Sequence, residues 1–266
     1  MIFCLIWLAI YTIDMEAASA KKKIEPIIPP KEQVYLEGPK SRTYELAFAW
    51  RVFKQFIQGF RILHFVGPCI TVFGSARFKE GHPYYELTRK ASAEFAKLGF
   101  TILTGGGPGL MEAANRGARD VGGRSVGCNI QLPVEQRPNP YLDKWVYMRH
   151  FFLRKVLLVK YSFAFIVMPG GYGTLDEYFE ALTLIQTHKI KDFPIIIFGK
   201  DYHKELLGHI ETMKKDGTIN ESDAHLYLVT DDIEEAVNLI KEKSIKQYGL
   251  KPKPKSKPTW WLFEHR

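Results

Sequence analysis

The chain has 266 residues, 46% hydrophobic, 14% aromatic and 25% charged, a globular composition that excludes a disordered, collagenous or fibrous protein. Its formal net charge is +8, yet residues 241–266 hold eight basic side chains against two acids, a local +6. The first 240 residues therefore carry only +2, which removes the electrostatic case for a nucleic-acid partner of the compact part.

In chain order, residues 1–13 are almost wholly apolar. They are too short to span a membrane, which takes about 20 residues. Ala18-Ser19-Ala20 resembles a signal cleavage site, but no basic n-region precedes it and Asp14 and Glu16 interrupt the approach. Met15 is an alternative start. A cytoplasmic protein without stable membrane insertion is the expectation. Cys4, Cys69 and Cys128 make neither a disulfide framework nor a paired metal spacing, so no metal is expected. Cys69 and Cys128 read as small buried apolar residues.

Residues 1–40 comprise this apolar start and an extended linker, in which Lys21-Lys22-Lys23 is followed by Pro26, Pro29, Pro30 and Pro39. Residues 41–66 form an amphipathic helix, with Leu46, Ala49, Trp50, Phe53, Phe56, Ile57 and Phe60 at the spacing of one face. That stripe is expected to pack on the main domain or on a second subunit. From residue 67 to 245 strand and helix signals alternate. Strands are expected at Cys69–Ser75, Thr101–Thr104, Ser125–Leu132, Phe163–Met168, Pro194–Phe198 and Leu226–Val229. Helices are expected at Tyr84–Leu98, Leu110–Asp120, His150–Tyr161, from Leu175 to about Ile190, from about His203 to Lys215, and from Asp232 to about Lys243. Such alternation, with strands apolar on both faces, predicts an α/β fold: a doubly wound parallel sheet with helices on either side. Residues 246–266 read as a basic tail in which Lys and Pro alternate from Lys251 to Pro258.

Ligands of open α/β sheets bind beyond the carboxyl ends of the strands. Two glycine-rich turns fall there. Thr104 to Gly109 links a strand to a helix, but Leu110 stands where a dinucleotide fingerprint needs its third glycine, and no Gly-Lys-Ser/Thr ending makes a Walker loop. The second turn, Pro169-Gly170-Gly171-Tyr172-Gly173-Thr174, lets backbone N–H groups approach an anion at the start of a helix. There the Thr174 hydroxyl is expected to cap the helix and reach a phosphate oxygen. Glu177 follows within the expected first turn, either as a partner of the helix dipole or as a carboxylate about 5 Å along the axis from an anion cradle.

Pro169-Gly170-Gly171-Tyr172-Gly173-Thr174-Leu175-Asp176-Glu177 matches the PGGxGTxxE signature of the Lonely Guy family, the cytokinin riboside 5′-monophosphate phosphoribohydrolases. The resemblance runs from about residue 69 to about residue 240. It includes Gly105-Gly106-Gly107-Pro108-Gly109-Leu110-Met111-Glu112, like the family's GGGxxGLM turn, and the pair Arg154-Lys155. The resemblance implies a Rossmann-like homo-oligomer that hydrolyses the N-glycosidic bond of a nucleoside 5′-monophosphate, a cytokinin riboside monophosphate or AMP, without a cofactor. It implies catalytic roles for Arg154 and Glu177, phosphate contacts from Gly171, Gly173 and Thr174, and substrate contacts from Gly170 and Tyr172 of the same loop. Substrate contacts are further implied for Lys155, Glu135 and Thr183, and for Ser75, Gly107, Gly109 and Met111 of the neighbouring turns. Around Glu135 the run Pro133-Val134-Glu135-Gln136-Arg137-Pro138 departs from the short plant members, as does the longer N-terminus.

Members of the family are often labelled lysine decarboxylases. That chemistry needs pyridoxal phosphate on a lysine, and neither glycine turn contains one. Two other readings compete with the hydrolase. One is a non-catalytic carrier of a nucleotide or pterin-type cofactor on the same scaffold. The other is a nucleic-acid binder that uses the basic tail. Glu177 and Arg154 together favour the enzyme.

Overall fold

The computed structural model describes residues 35–131, 137–190 and 193–247. The chain divides into two units, Met1–Pro39 and Lys40–Arg266, and the second contains the whole sheet and its helices. The expected apolar start, most of the linker and the basic tail lie outside the described residues. The elements in chain order are α1 (Arg42–Leu63), β1 (Cys69–Phe73), α2 (Pro83–Lys97), β2 (Thr101–Thr104), α3 (Leu110–Asp120) and β3 (Ser125–Ile130). Next come β4 (Lys144–Met148), α4 (Phe151–Tyr161), β5 (Ser162–Val167), α5 (Tyr172–Gln186), β6 (Ile195–Ile197) and α6 (Lys204–Lys215). A 3₁₀ turn (Glu221–His225), β7 (Tyr227–Val229), α7 (Ile233–Ile240) and a π-helical turn (Lys241–Gln247) complete the unit.

The seven strands form one sheet in the order β4-β3-β2-β1-β5-β6-β7, and every pairing is parallel. The doubly wound α/β architecture is as expected. Strand period 2 sends alternate side chains to opposite faces. Ile70, Val72, Ile102 and Ile166 join Phe95 and the alanines of α3 in one core. Cys69, Phe73, Leu103, Phe165 and Val167 join Leu157 and Tyr178 in the other. With both faces covered, the inner strands β1, β2 and β3 are buried along their whole length rather than alternating. The chain winds outward from β1 to the β4 edge and then returns to place β5 on the other side of β1. The winding therefore reverses between β1 and β5, the place in such sheets where ligands bind beyond the strand ends.

Three expectations need correction. The edge strand β4 has no counterpart in the predicted elements. Among the described residues no helix separates it from β3, and its Trp145 and Tyr147 are exposed while Val146 and Met148 are buried, so it lacks the continuous apolar run of the inner strands. The stripe predicted for α1, expected to pack on the main domain or a second subunit, meets the main domain only in part, at Phe56 and Phe60. Leu46, Trp50 and Phe53 are exposed, whereas Phe48, Gln55, Gly59 and Leu63 are buried. A Cβ on Gly59 would lie 2.6 Å from Leu157 Cδ1, so the glycine lets α1 approach α4, and Gln55 Oε1 accepts the Arg149 N–H at 2.8 Å. Small and polar residues thus select the inward face on a helix with apolar groups on both sides. Finally, α5 begins at Tyr172 instead of Leu175, which changes the geometry of the second glycine turn. Among the described residues, no helix is long and apolar enough to cross a membrane.

Candidate active site

Ser75, just after β1, ties the two glycine turns together. Its N–H donates to the Pro169 carbonyl at 3.0 Å, and its own carbonyl accepts the Leu110 N–H at 2.9 Å. Gly109 caps α3 with φ +71°, and a Cβ there would lie 2.5 Å from the Ser75 carbonyl oxygen, so this close approach requires glycine. Gly107 is held through its carbonyl by Asn139 Nδ2 at 3.1 Å. The Met111 sulfur lies 2.9 Å from where a Cβ of Gly105 would stand. Both turns, from separate parts of the chain, are thereby locked side by side at the sheet's carboxyl end.

In the second turn Gly171 is the helix cap, and no side chain caps α5. The expected Thr174 cap is thus corrected. Thr174 is the third helical residue, is buried, and folds back so that a Cβ on Gly170 would lie 2.1 Å from its hydroxyl oxygen. Nothing lies within 4 Å of the Cβ positions of Gly171 and Gly173, and Tyr172 is exposed. The first N–H groups of a helix have no intrahelical acceptor. Here the Thr174 N–H turns back to the Gly171 carbonyl at 3.0 Å, and among the described residues no backbone acceptor meets the N–H groups of Gly171, Tyr172 and Gly173.

Glu177 is the sixth residue of α5, beyond the first turn, so its carboxylate is not a partner of the helix dipole. Its side chain is only 1% exposed. Arg154 Nη2 of α4 stands 3.5 Å from Oε1, a long contact, while Oε2 is buried with no hydrogen-bond partner among the described residues. Burial pushes the Glu177 carboxyl up to about 7, against the lowering influence of Arg154 and Lys155. Arg154 is itself largely buried, stacks on the Phe151 ring at 5.1 Å, and places Nη1 3.8 Å from the Cβ position of Gly105. Its guanidinium therefore bridges the first glycine turn and the Glu177 carboxyl, with Nε buried and unpartnered.

Lys155 points to carboxylates of α5, with Nζ 3.0 Å from both Asp176 and Glu180. Burial acts to lower its pKa, but the bonds to these two acids outweigh it and the ammonium is held charged. Thr183 lies outside the cluster: it is exposed further along α5 and its hydroxyl donates to the Phe179 carbonyl at 2.8 Å. Glu135 lies outside the described residues. Cys128 is fully buried on β3, and desolvation pushes its thiol to about 12, so it is no nucleophile. Cys69 is likewise buried. Among the described residues, no group of three His, Cys, Asp or Glu side chains is placed to hold a metal.

Sequence patterns do not reveal the polar support of the first turn. Thr104 Oγ1 donates to Asn115 Oδ1 at 2.6 Å and accepts the Gly106 N–H at 2.9 Å. Asn139 Nδ2 reaches the same Asn115 oxygen at 2.9 Å, and the Asn139 N–H donates to the Gly106 carbonyl at 3.0 Å. The position of Thr104 at a strand end is the sole sequence signal, since Asn139 arrives from a loop with no motif of its own.

A protein from Mycobacterium tuberculosis named cytokinin riboside 5′-monophosphate phosphoribohydrolase is 31% identical over 157 residues, covering 57% of this chain and 82% of that protein. The chain belongs to the Lonely Guy family. A Rhodococcoides fascians protein of the same name is 28% identical over 175 residues, 65% of this chain and 88% of its own length. A family model described as "Possible lysine decarboxylase" matches residues 111–240. The molybdenum cofactor binding protein from Rippkaea orientalis matches in fold, with 23% identity, a TM-score of 0.51, and 66% of this chain and 96% of that one covered. The decarboxylase label does not fit this Lonely Guy site. A pyridoxal phosphate imine needs an amine that can lose its proton, whereas Lys155 is fixed as a cation between two carboxylates.

Proposed function

We propose that this chain hydrolyses the N-glycosidic bond of a nucleoside 5′-monophosphate to free base and ribose 5-phosphate. The observation that carries the reading is the buried Glu177 carboxyl, with one oxygen unpartnered among the described residues, held by Arg154 about one helical turn beyond the glycine turn that starts α5. Family membership supports it. The 5′-phosphate would sit on the N–H groups from Gly171 to Gly173, with the dipole of α5 behind it. A rise of about 1.5 Å per residue then puts Glu177 beside the ribose. As the C1′–N bond lengthens, the sugar gains oxocarbenium character, which the Glu177 carboxylate stabilises while it orients water. Water adds its hydroxyl to C1′ and its second proton ends on the departing base. Arg154, permanently charged, holds Glu177 in place and favours its ionised form.

Purified protein incubated with AMP, isopentenyladenosine monophosphate and a panel of other nucleoside monophosphates should release free base from at least one of them. No release from any of them refutes the hydrolase. Binding without turnover would indicate a carrier, in which Glu177→Gln leaves affinity intact.

A further inference from the structure

A second loop is built against the back of the Pro169–Gly171 turn. After β6 the chain bends at Gly199, whose φ is +87°, and a Cβ there would lie 2.7 Å from the Pro169 ring. Only glycine allows that contact. Asp231, just past β7, accepts the N–H groups of Gly199 and Lys200 at 2.6 and 3.2 Å and so fixes the bend. From this fixed loop the Tyr202 hydroxyl donates to the Gly170 carbonyl at 2.9 Å. The Tyr202 ring packs edge-on to Tyr84, with centroids 6.2 Å apart.

The Gly170 carbonyl and the Gly171 N–H belong to one planar trans peptide unit and point in opposite directions. Holding one therefore aims the other. Two adjacent glycines would otherwise let that unit rotate at small cost, because neither has a Cβ to restrict it. A hydrogen bond accepted by the carbonyl also polarises the amide and strengthens its N–H as a donor. We propose that Tyr202 is a positioning residue for the anion cradle, one that aims the Gly171 N–H at the nucleotide phosphate without touching the ligand. The inference rests on the functional reading above, which places the phosphate at Gly171.

Calorimetric titration with ribose 5-phosphate and with ribose separates the two ideas, because neither measurement needs turnover. Tyr202→Phe keeps the ring and its packing. It should weaken ribose 5-phosphate binding about three- to tenfold, because a misaimed Gly171 N–H forfeits most of one neutral hydrogen bond to the phosphate. Ribose binding should not change, the melting temperature should fall by no more than the loss of one intramolecular hydrogen bond costs, and KM for the nucleotide should rise with kcat nearly constant. Unchanged ribose 5-phosphate affinity in Tyr202→Phe, or an equal loss for ribose, overturns the role of Tyr202 alone. A wild-type protein that binds ribose 5-phosphate no better than ribose overturns both the role and the functional reading.

Discussion

Replacing Glu177 by Gln should stabilise the protein while abolishing base release, and the gain should depend on pH. Folded, the Glu177 carboxyl keeps its proton to about pH 7, against an ordinary value of 4.5. Unfolded, it loses that proton near the ordinary value. The folded state therefore binds more protons between these limits, and stability falls as pH rises through them, then levels off above 7. The full penalty is about 3 kcal/mol at 1.4 kcal/mol per pH unit, and about 2 kcal/mol of it develops between pH 5.5 and 8.5. Gln carries no charge at either pH. Urea unfolding of both proteins at these two pH values should show a stability gain for Glu177→Gln that is larger at pH 8.5 by about 2 kcal/mol. Packing changes and the titrations of His150 and His203 are common to both arms and cancel. Free protein is the right sample, because the substrate phosphate itself titrates near pH 6 and would blur a rate profile. A gain that is equal at the two pH values, or absent at the higher one, would show that Glu177 ionises normally and refute the burial argument.

Arg154→Ala should lower kcat by several orders of magnitude, and it should push the Glu177 titration still higher by removing the charge that favours the carboxylate; near-normal turnover would remove Arg154 from the mechanism. Gly117→Ala should destabilise the fold by roughly 1–3 kcal/mol even though alanine is the better helix former, because its Cβ would stand 2.0 Å from the Arg89 carbonyl oxygen where α3 meets α2. A thermal melt that shows stabilisation contradicts that close approach. Tyr178→Phe should be neutral or slightly stabilising, since the Tyr178 hydroxyl is fully buried without a partner and already bears its desolvation cost; a loss above about 1 kcal/mol in urea unfolding would reveal a hidden partner.

What was legible in the sequence and what was not divides along physical lines. Inner strands of a parallel sheet are buried on both faces, so Cys69–Phe73 and Ser162–Val167 stand out as apolar runs. The edge strand Lys144–Met148 has one solvated face and was invisible to the same criterion. Helix α1 defeated periodicity because its exposed residues Leu46, Trp50 and Phe53 are as apolar as its buried ones, and only Gly59 and Gln55 distinguish the faces. At the site, the glycine turns and Glu177 were legible because local chemistry demands them in sequence order. Local order could not tell that Thr174 is spent on packing against Gly170, since that depends on where the helix starts. Nor could it find Asn139 and Tyr202, which bond to backbone groups of the turns, or Asn115, which bonds to the Thr104 and Asn139 side chains, because only the fold brings these groups within reach. The glycine turns are therefore written in contiguous motifs, whereas the residues that bond to them are scattered over α3 and separate loops. A signature match alone thus carries the class of chemistry. Whether the signature is competent depends on its buttress: Ser75, Asn139 and Tyr202 each bond to the backbone of a glycine turn, and a relative that kept the signature but lost these bonds would keep its donors without their direction.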